Sequence, residues 1–294
     1  MKRVLITGIT GYIGSNLARR LLPDWEVYGL VREPLNLEYL ADIASRIHFV
    51  NYDGGYASMD AALQAACPDL VYHLAAYYTG AHGAEHVAKL VGSNVTLGAY
   101  LLEAMCGCGT PALVYATTYM THYRGEVFCP ANLYAATKQA FADLLAYYTD
   151  AGLLRAAALV ISDTYGPGDH RPKVLNIARK AAELGEKIAF SPGNIPYDVI
   201  HIDDVVSAFC LTGEQVLQGK IQSGTFQVVP EAPLSLRETI ELMLQINHLE
   251  LDAGWGERPA AEREMSELVR LYPTPPEWKQ QVPLEEGLAR FCDC

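Results

Sequence analysis

Tyr134 and Lys138 are spaced so that they could transfer a proton together. They lie four positions apart in the segment Tyr134-Ala135-Ala136-Thr137-Lys138, and on a helix this spacing puts both side chains on one face. A phenol with an unperturbed pKa of about 10 is a poor acid or base at neutral pH, whereas a neighbouring ammonium lowers its pKa by favouring the phenolate. An isolated pair of this kind is more often an ordinary helix flank, so its interpretation depends on its surroundings.

Hydroxyl groups are expected close to this pair. The apolar run Ala112–Ala116 predicts a strand, and Thr117 and Thr118 follow it directly. Parallel α/β sheets bind their ligands at the carboxyl ends of their strands. The two threonines therefore indicate a reaction site at that edge of the sheet.

A glycine-rich segment near the N-terminus predicts a phosphate-binding turn. Gly8-Ile9-Thr10-Gly11-Tyr12-Ile13-Gly14 follows the apolar strand Lys2–Thr7 and opens a predicted helix, Tyr12–Leu22. In dinucleotide-binding folds the first glycine allows a tight turn, the second lets the backbone approach the pyrophosphate, and the third lets the helix pack on the strand. The N–H groups at the helix N-terminus then face the anion. The spacing GxxGxxG is one residue longer than the common GxGxxG, and such turns also arise for steric reasons alone.

The elements that must position these segments alternate along the chain. Strand-like runs separated by helical stretches lie at Lys2–Thr7, Trp25–Val31, Ile47–Asn51, Leu70–Leu74, Ala112–Ala116 and Arg155–Ile161. This alternation predicts an α/β fold with a doubly wound parallel sheet, a Rossmann domain over residues 1–165.

The pattern loosens after Tyr165. Helices are expected near Val174–Leu184, Asp203–Gly213 and Ser235–Gln245, with short strands near Lys187–Phe190, Asp198–Ile202 and Thr225–Val229. We therefore predict that residues 166–294 form mostly a smaller substrate-binding lobe, with some segments returning to the first domain and the substrate in the cleft between them.

Composition narrows the function classes. The 294 residues are 50% apolar with a net charge of −12, which argues against nucleic acid or an anionic membrane as partner. No apolar run reaches the ~18 residues of a membrane span and no signal-peptide segment precedes the first strand, so we expect a cytoplasmic protein. Seven scattered cysteines do not form a disulfide framework, and the Cys106/Cys108 and Cys292/Cys294 pairs lack zinc-site spacing, so no metal is expected.

Taken together, the motifs resemble the extended short-chain dehydrogenase/reductase family, the NAD-dependent epimerase/dehydratase enzymes, over essentially the whole chain. The matching motifs are Thr7–Gly14, Asp53, His73-Leu74-Ala75-Ala76, Asn94, Thr118, Tyr134 with Lys138, Asp163–Gly168, His201–Val205 and Pro283–Leu288. The resemblance is strongest to CDP-abequose synthase-like reductases, which reduce the 4-keto group of a nucleotide-linked deoxysugar.

The resemblance implies roles for individual residues. Tyr134 would donate the proton, Lys138 would hold the nicotinamide ribose and lower the pKa of Tyr134, and Thr118 would hydrogen-bond the substrate. The implied cofactor-binding residues are Gly8, Thr10, Gly11, Tyr12, Ile13, Gly14, Arg32, Asp53, Leu74, Ala75, Ala76, Asn94, Tyr134 and Lys138. The implied substrate-binding residues are Tyr78, Thr118, Tyr119, Asp163, Arg171 and Lys173. Arg171 and Lys173 would line the nucleotide diphosphate, although both could instead be solvated loop charges.

Departures from the family pattern favour reduction over other reactions. Family dehydratases carry an Asp-Glu pair after the catalytic threonine because elimination needs a further acid and base, whereas here Tyr119 and Met120 follow Thr118. The short separation of Thr118 from Tyr134 favours simple reduction. A 4-epimerase with bound NAD uses the same three residues and stays open, as does a non-catalytic nucleotide-binding regulator.

Arg32 indicates which nicotinamide cofactor binds. It stands at the end of the second predicted strand, where NAD-binding folds carry an acid for the ribose, and its guanidinium suits a 2′-phosphate. We therefore expect NADP(H) rather than NAD(H). Alternatively, Arg32 points to solvent and Glu33 takes the ribose.

The resemblance also implies a homodimer. In this family, a helix corresponding to Val87–Met105 and the helix that begins near Leu133 pair across a two-fold axis as a four-helix bundle. Both are apolar enough here, but an apolar stripe does not distinguish an interface from an ordinary core helix.

Overall fold

The structure is a computed structural model that describes residues 1–292, so the second half of the Cys292/Cys294 pair lies outside the described residues. Its strands are β1 (Lys2–Thr7), β2 (Trp25–Val31), β3 (His48–Asn51), β4 (Leu70–His73), β5 (Ala112–Thr118), β6 (Arg155–Ile161), β7 (Asp163–Tyr165), β8 (Ile188–Phe190), β9 (Pro196–Tyr197), β10 (Val199–His201), β11 (Ser223–Val228), β12 (Leu234–Ser235) and β13 (Ala253–Trp255). Its helices are α1 (Tyr12–Leu21), α2 (Tyr56–Ala66), α3 (Ala84–Val91), α4 (Leu97–Cys108), α5 (Leu133–Asp150), α6 (Val174–Leu184), α7 (Ile202–Leu217), α8 (Leu236–Ile246) and α9 (Leu284–Cys292).

Seven strands form one parallel sheet in the order β11-β6-β5-β4-β1-β2-β3. The chain winds outward in both directions from β1, which confirms the predicted doubly wound Rossmann-like sheet. Its central strands are apolar almost throughout because helices cover both faces. Along β1, for example, Val4 and Ile6 enter one core while Leu5 enters the other.

Two separate layers of helices cover the two faces of the sheet. Helices α1 and α7 pack together on one face, with Leu17 and Phe209 among their buried side chains. Helices α2, α4 and α5 cover the other face, where Met59, Leu101 and Phe141 are buried. The active-site candidates on α5 are therefore anchored by the second of these cores.

The predicted helix Val87–Met105 is interrupted by a wider turn. One π-helical turn at Gly92–Thr96 separates α3 from α4 and turns Asn94 inward. The Asn94 side chain accepts a hydrogen bond from the Tyr77 backbone N–H (2.8 Å) and donates to the Tyr77 carbonyl (3.0 Å) and to Thr137 Oγ1 (2.9 Å). Asn94 thus joins the loop after β4 to α5.

Segments after β6 build a third core. Side chains from α6, α8 and α9, among them Leu175, Ile240 and Phe291, pack there around three short strand pairs. Helix α7 and strand β11 instead pack on and extend the large sheet.

Residues 256–283, which we call the strap, connect β13 to α9 without a helix or strand in that described stretch. The predicted boundary between a Rossmann domain and a substrate-binding lobe at residue 165 stays a prediction. Within residues 1–292, no helix is both long and apolar enough to cross a membrane.

Asp204 fixes the end of the strap to α7. Its buried carboxylate accepts hydrogen bonds from the N–H groups of Gln281 (2.7 Å) and Val282 (3.1 Å). We expect Asp204→Ala to lower the free energy of unfolding by about 3 kcal/mol, because two backbone donors lose their acceptor. Urea unfolding would measure this loss. The matched change Asp203→Ala, at a side chain that is 64% exposed, should cost about 0.5 kcal/mol or less, and equal losses would contradict this account.

Candidate active site

Three cavities meet at the carboxyl edge of the sheet. The glycine-loop cavity, about 380 Å³, is lined by Thr7, Gly8, Thr10, Gly11, Leu30–Asn36, Tyr52, Leu74–Ala76 and Leu97. The tyrosine cavity, about 400 Å³, is lined by Ile13, Leu74, Ala76, Tyr78, Ala116–Met120, Tyr134, Lys138, Ile161–Thr164 and Arg171–Lys173. The strap cavity, about 670 Å³, includes Tyr119, Met120, Asn132, Asp163, Tyr197, Asp198, Arg258 and residues 261–265. Leu74 and Ala76 are shared by the first two cavities, and Tyr119, Met120 and Asp163 by the last two.

The glycine turn is shaped by close backbone contacts. Gly8 has a φ of +72°, and a Cβ there would lie 2.7 Å from the Ala75 nitrogen. A Cβ on Gly14 would overlap the carbonyl oxygen of Gly8, so this glycine lets α1 pack on the turn. Gly11 caps α1 and faces the glycine-loop cavity; it has no side chain to cap the helix, so the first-turn N–H groups remain for an anion.

Both residues considered for the ribose line the glycine-loop cavity. Arg32 is exposed, and its Nη1 lies 3.5 Å from Ser93 Oγ. The Glu33 carboxylate accepts a hydrogen bond from the Leu35 N–H (3.1 Å). One guanidinium and one carboxylate therefore stand at the same rim.

Several residues implied for cofactor binding do not line that cavity. Asp53 is exposed, and its carboxylate accepts from the Gly55 N–H (2.8 Å) and the Ser58 hydroxyl (2.6 Å) at the start of α2. The Tyr12 hydroxyl donates to the Pro167 carbonyl (3.1 Å). Asp53 and Tyr12, like Asn94 and Gly14, have structural contacts here, and their contact with a cofactor stays a prediction.

The three proposed catalytic side chains line the tyrosine cavity together. Thr118 ends β5, and Tyr134 and Lys138 lie in the first two turns of α5. Helix α5 begins where it does because Asn132 caps it: the Asn132 Oδ1 accepts from the Ala135 N–H (2.9 Å). The spacing and strand-end arguments from the sequence thus place these groups at one site.

The pKa of the Tyr134 phenol shifts in the direction opposite to the one that the sequence predicts. The pKa of the Tyr134 phenol is raised, first by burial and then by neighbouring Tyr78 and Asp163. Burial also lowers the pKa of Lys138 to about 7, because the ammonium has lost its water. The net direction at Tyr134 is therefore set by burial and is opposite to the lowered pKa that the sequence predicts. A lowering contribution from Lys138 is not among the causes of this shift and stays a prediction.

Three of the implied substrate-binding residues form a chain beside Tyr134. The Lys173 ammonium pairs with Asp163 Oδ1 at 2.5 Å and lies 5.5 Å from the centre of the Tyr78 ring. The Tyr78 ring meets the Tyr134 ring edge to face at 4.9 Å. A half-buried ion pair and an exposed phenol thus flank the Tyr134 hydroxyl.

Arg171 is held by its own loop. Its Nε and Nη2 donate to the two carboxylate oxygens of buried Asp169 at 2.8 and 2.7 Å, and Nη2 also donates to the Thr164 carbonyl (2.8 Å). The guanidinium lies 4.7 Å from the Tyr12 ring centre. Arg171 and Lys173 therefore both line the tyrosine cavity as paired cations rather than as solvated loop charges.

The strap is held by two arginines that the sequence analysis missed. Arg263 donates through Nε to the Ala131 carbonyl (3.2 Å) and through Nη2 to the Pro130 carbonyl (3.0 Å), just before α5. Arg270 pairs with both oxygens of Asp198 at 2.5 and 2.8 Å. Neither arginine belongs to a periodic or motif-like segment, so the sequence carries no local signal for these contacts.

Comparisons with known proteins find one matching family model and several similar nucleotide-sugar enzymes. Residues 4–226 match the family described as the NAD dependent epimerase/dehydratase family. CDP-abequose synthase of Yersinia pseudotuberculosis is 24% identical, over 86% of this chain and 88% of its own length. A probable UDP-glucuronate 4-epimerase of Rhizobium meliloti is 24% identical, over 99% of this chain and 96% of its own length. The solved UDP-glucose 4-epimerase of Thermotoga maritima superposes with a TM-score of 0.85 at 21% identity, covering 98% of this chain and 96% of that one, and so shares its fold.

Proposed function

The chain belongs to the NAD dependent epimerase/dehydratase family. Within that family we propose that it is an NADPH-dependent reductase, and that its substrate is a 4-keto-deoxyhexose linked to CDP or dTDP. The observation that carries this proposal is the position of Thr118, Tyr134 and Lys138. They line a cavity that shares walls with the glycine-loop cavity on one side and with the strap cavity on the other.

The glycine-loop cavity fits a dinucleotide. In its wall the Gly8 backbone packs so closely on the backbone of Leu74 and Ala75 that a Cβ would not fit, and the α1 N-terminus supplies N–H donors for phosphate. Gly11, Thr10 and residues 74–76 would hold the cofactor there, with Arg32 at its ribose. When bound, the reduced nicotinamide supplies a hydride to the carbonyl carbon of the substrate.

The residues of the chain supply the proton and stabilise the developing charge. Because its pKa is raised, the Tyr134 phenol keeps its proton at neutral pH and can donate it to the carbonyl oxygen as that oxygen becomes an alkoxide. Thr118 would hydrogen-bond the same oxygen. The Lys138 ammonium, while charged, favours the negative charge that develops beside it.

The walls of the tyrosine cavity support a neutral deoxysugar. Leu74, Ala116 and Ile161 contribute apolar surface that suits a methyl group. Arg171 and Lys173 are already paired with carboxylates, so they favour a sugar without a carboxylate of its own. The sequence predicts Arg171 and Lys173 at the nucleotide diphosphate, but both are paired with carboxylates here. We therefore propose the diphosphate in the larger strap cavity, whose wall carries Arg258 and Arg263 beside Glu262, Glu264 and Glu267.

A spectrophotometric assay tests the proposal. Purified protein is mixed with NADPH or NADH and with enzymatically prepared CDP- or dTDP-4-keto-6-deoxyhexose, and absorbance is followed at the reduced-nicotinamide band. Stoichiometric loss of NADPH with formation of the alcohol supports the reductase. Unchanged absorbance in all four mixtures overturns it.

A nucleotide-sugar 4-epimerase with bound NAD is the second candidate. It is favoured by the epimerases among the similar proteins, such as the one from Rhizobium meliloti, which is similar along almost its whole length. An epimerase would interconvert two sugar nucleotides without net use of cofactor, and product analysis by NMR would show this. A non-catalytic regulator is less favoured, because binding alone does not require Thr118, Tyr134 and Lys138 in one cavity.

Arg32 should set the cofactor preference. We expect Arg32→Ala to raise the KM for NADPH by about 10- to 100-fold, because a charged contact to the 2′-phosphate is lost, while the KM for NADH stays unchanged. Steady-state kinetics with both cofactors would measure this. Glu33→Ala is the matched control from the same rim. If that variant instead weakens NADH and Arg32→Ala changes neither cofactor, the ribose is held by Glu33.

We also propose a homodimer in which each copy contributes two helices to a four-helix bundle: the interrupted helix made of α3 and α4, and α5. These helices leave Val87, Val91 and Tyr147 exposed by 40%, 42% and 65%, apolar surface that a partner copy would cover. Light scattering would give the oligomeric state.

We further propose that the protein works in the cytoplasm, because the free thiols of Cys67, Cys106, Cys108, Cys129 and Cys210 fit a reducing compartment.

A further inference from the structure

Tyr115 lies against Lys138 through both its ring and its hydroxyl. The Lys138 ammonium nitrogen is 4.3 Å from the centre of the Tyr115 ring, and the Tyr115 hydroxyl donates to the Lys138 backbone carbonyl at 3.0 Å. Tyr115 belongs to β5, three residues before Thr118, and is completely buried. It contacts Lys138 from the side of the buried core and does not itself line the tyrosine cavity.

We propose that Tyr115 is a positioning residue for the reaction, whose ring supports the charged form of Lys138 and whose hydroxyl fixes the turn of α5 that carries it. This inference rests on the proposed function only in what Lys138 is used for. The support of the ammonium by the ring is a property of the protein alone.

The ring of Tyr115 is held in place from both sides. His73 stacks on it at 5.6 Å with an interplanar angle of 19°, and Phe141 meets it edge to face at 4.6 Å. His73 is in turn tied to β1, since its Nδ1 lies 2.8 Å from Thr7 Oγ1, which also accepts a hydrogen bond from the Ala75 N–H. A continuous set of contacts therefore runs from the glycine turn to Lys138.

Burial makes this contact important. Lys138 is 2% exposed, so water contributes little to solvating its charge, and a desolvated ammonium gains more from an aromatic face than an exposed one. Without such support, an apolar site would favour the neutral amine further. The ring thus offsets part of the desolvation that lowers the pKa of Lys138 to about 7.

Lys138 is also the group here whose charge changes near neutral pH. Around it lie Tyr134 on the same helix, Tyr115 on β5 and His73 on β4. Burial raises the pKa of both phenols and lowers the pKa of His73 to about 3, so all three stay neutral between pH 5 and 9. A titration in that range therefore reports the lysine.

A fluorination series at position 115 tests the role of the ring, because its members all lack the hydroxyl and differ from one another only in their fluorine atoms. Phenylalanine and its mono-, di- and trifluorinated forms are introduced at Tyr115, and the titration of the Lys138 amine is followed by ¹⁵N NMR, with the signal assigned by its loss in Lys138→Arg. Each fluorine withdraws electron density from the ring face. We expect the midpoint to fall stepwise, by about one pH unit across the series, and the alkaline limb of kcat/KM to move with it.

The same series at Tyr72 is the control. Tyr72 is equally buried on β4, but its ring packs against Phe209 rather than Lys138, so the midpoint should stay fixed. An unchanged midpoint across the Tyr115 series would overturn the inference and leave the reductase assignment intact. A stepwise fall in a protein that reduces no keto sugar would support the role of Tyr115 and refute the proposed function instead.

Discussion

Tyr134→Phe is expected to lose about 10³-fold in turnover, because the hydroxyl that donates the proton is gone while the ring remains. The reaction would still receive its hydride, but the alkoxide oxygen would have to find a proton from water in a partly closed cavity. Single-turnover loss of NADPH absorbance measures the effect. Cofactor affinity, measured by fluorescence titration, should stay within about twofold because no contact of the glycine turn is altered.

Tyr78→Phe provides the comparison for this result. Tyr78 carries a second phenol whose ring lies against Tyr134, and it lines the same cavity. Its hydroxyl is not assigned the proton, so its removal should cost about tenfold or less. If Tyr134→Phe kept a tenth or more of the wild-type rate, or if Tyr78→Phe were the more damaging change, Tyr134 would not be the proton donor.

Lys138→Met should be inactive and yet more stable than the wild type. A buried amine whose pKa falls from 10.5 to about 7 makes the folded state bind fewer protons than the unfolded state between those values. Wild-type stability therefore rises with pH through this window, and at pH 7 the lysine costs stability that methionine does not. We expect a gain of about 2 kcal/mol at pH 7 and a loss of turnover of at least about 10²-fold.

Urea unfolding at pH 6, 7 and 9 measures this difference. The gap between the variant and the wild type should narrow as the pH rises, since the wild type then folds with a neutral amine. Lys173→Met is the matched control, because the Lys173 side chain is 32% exposed and paired with Asp163, so its replacement should bring no such gain. A pH-independent gap for Lys138→Met would show that its ammonium is not desolvated in the folded protein.

Much of this arrangement follows from local patterns in the sequence. The runs that became β2 and β6 are apolar apart from Glu26 and Arg155, and such runs alternating with helices admit few topologies. The boundaries differ by only one or two residues for most elements; β5 extends to Thr118, which places the threonine on the strand itself. The Tyr134/Lys138 spacing and the strand end were therefore sufficient to locate the candidate site.

Other features depend on contacts that no local pattern reveals. The π-helical turn at Asn94 has the same apolar periodicity as a regular helix, so a continuous helix was predicted. Asp53 has the residue type of a ligand, and the sequence does not reveal that its Oδ1 also accepts hydrogen bonds from the Gly55 N–H and the Ser58 hydroxyl. The direction of the pKa change at Tyr134 depends on how deeply the pair is buried, which spacing alone does not give.

The strap has a consequence for how this protein can diverge. Arg263 and Arg270 attach it to the carbonyls before α5 and to Asp198, whereas Thr118 and Tyr134 stand on the strand and the helix behind it. Mutations in the strap can therefore accumulate in a duplicated copy while the reaction chemistry is inherited intact. If the strap cavity takes the nucleotide as proposed, a descendant with a new nucleotide partner is reachable through substitutions in the strap that leave Thr118, Tyr134 and Lys138 unchanged.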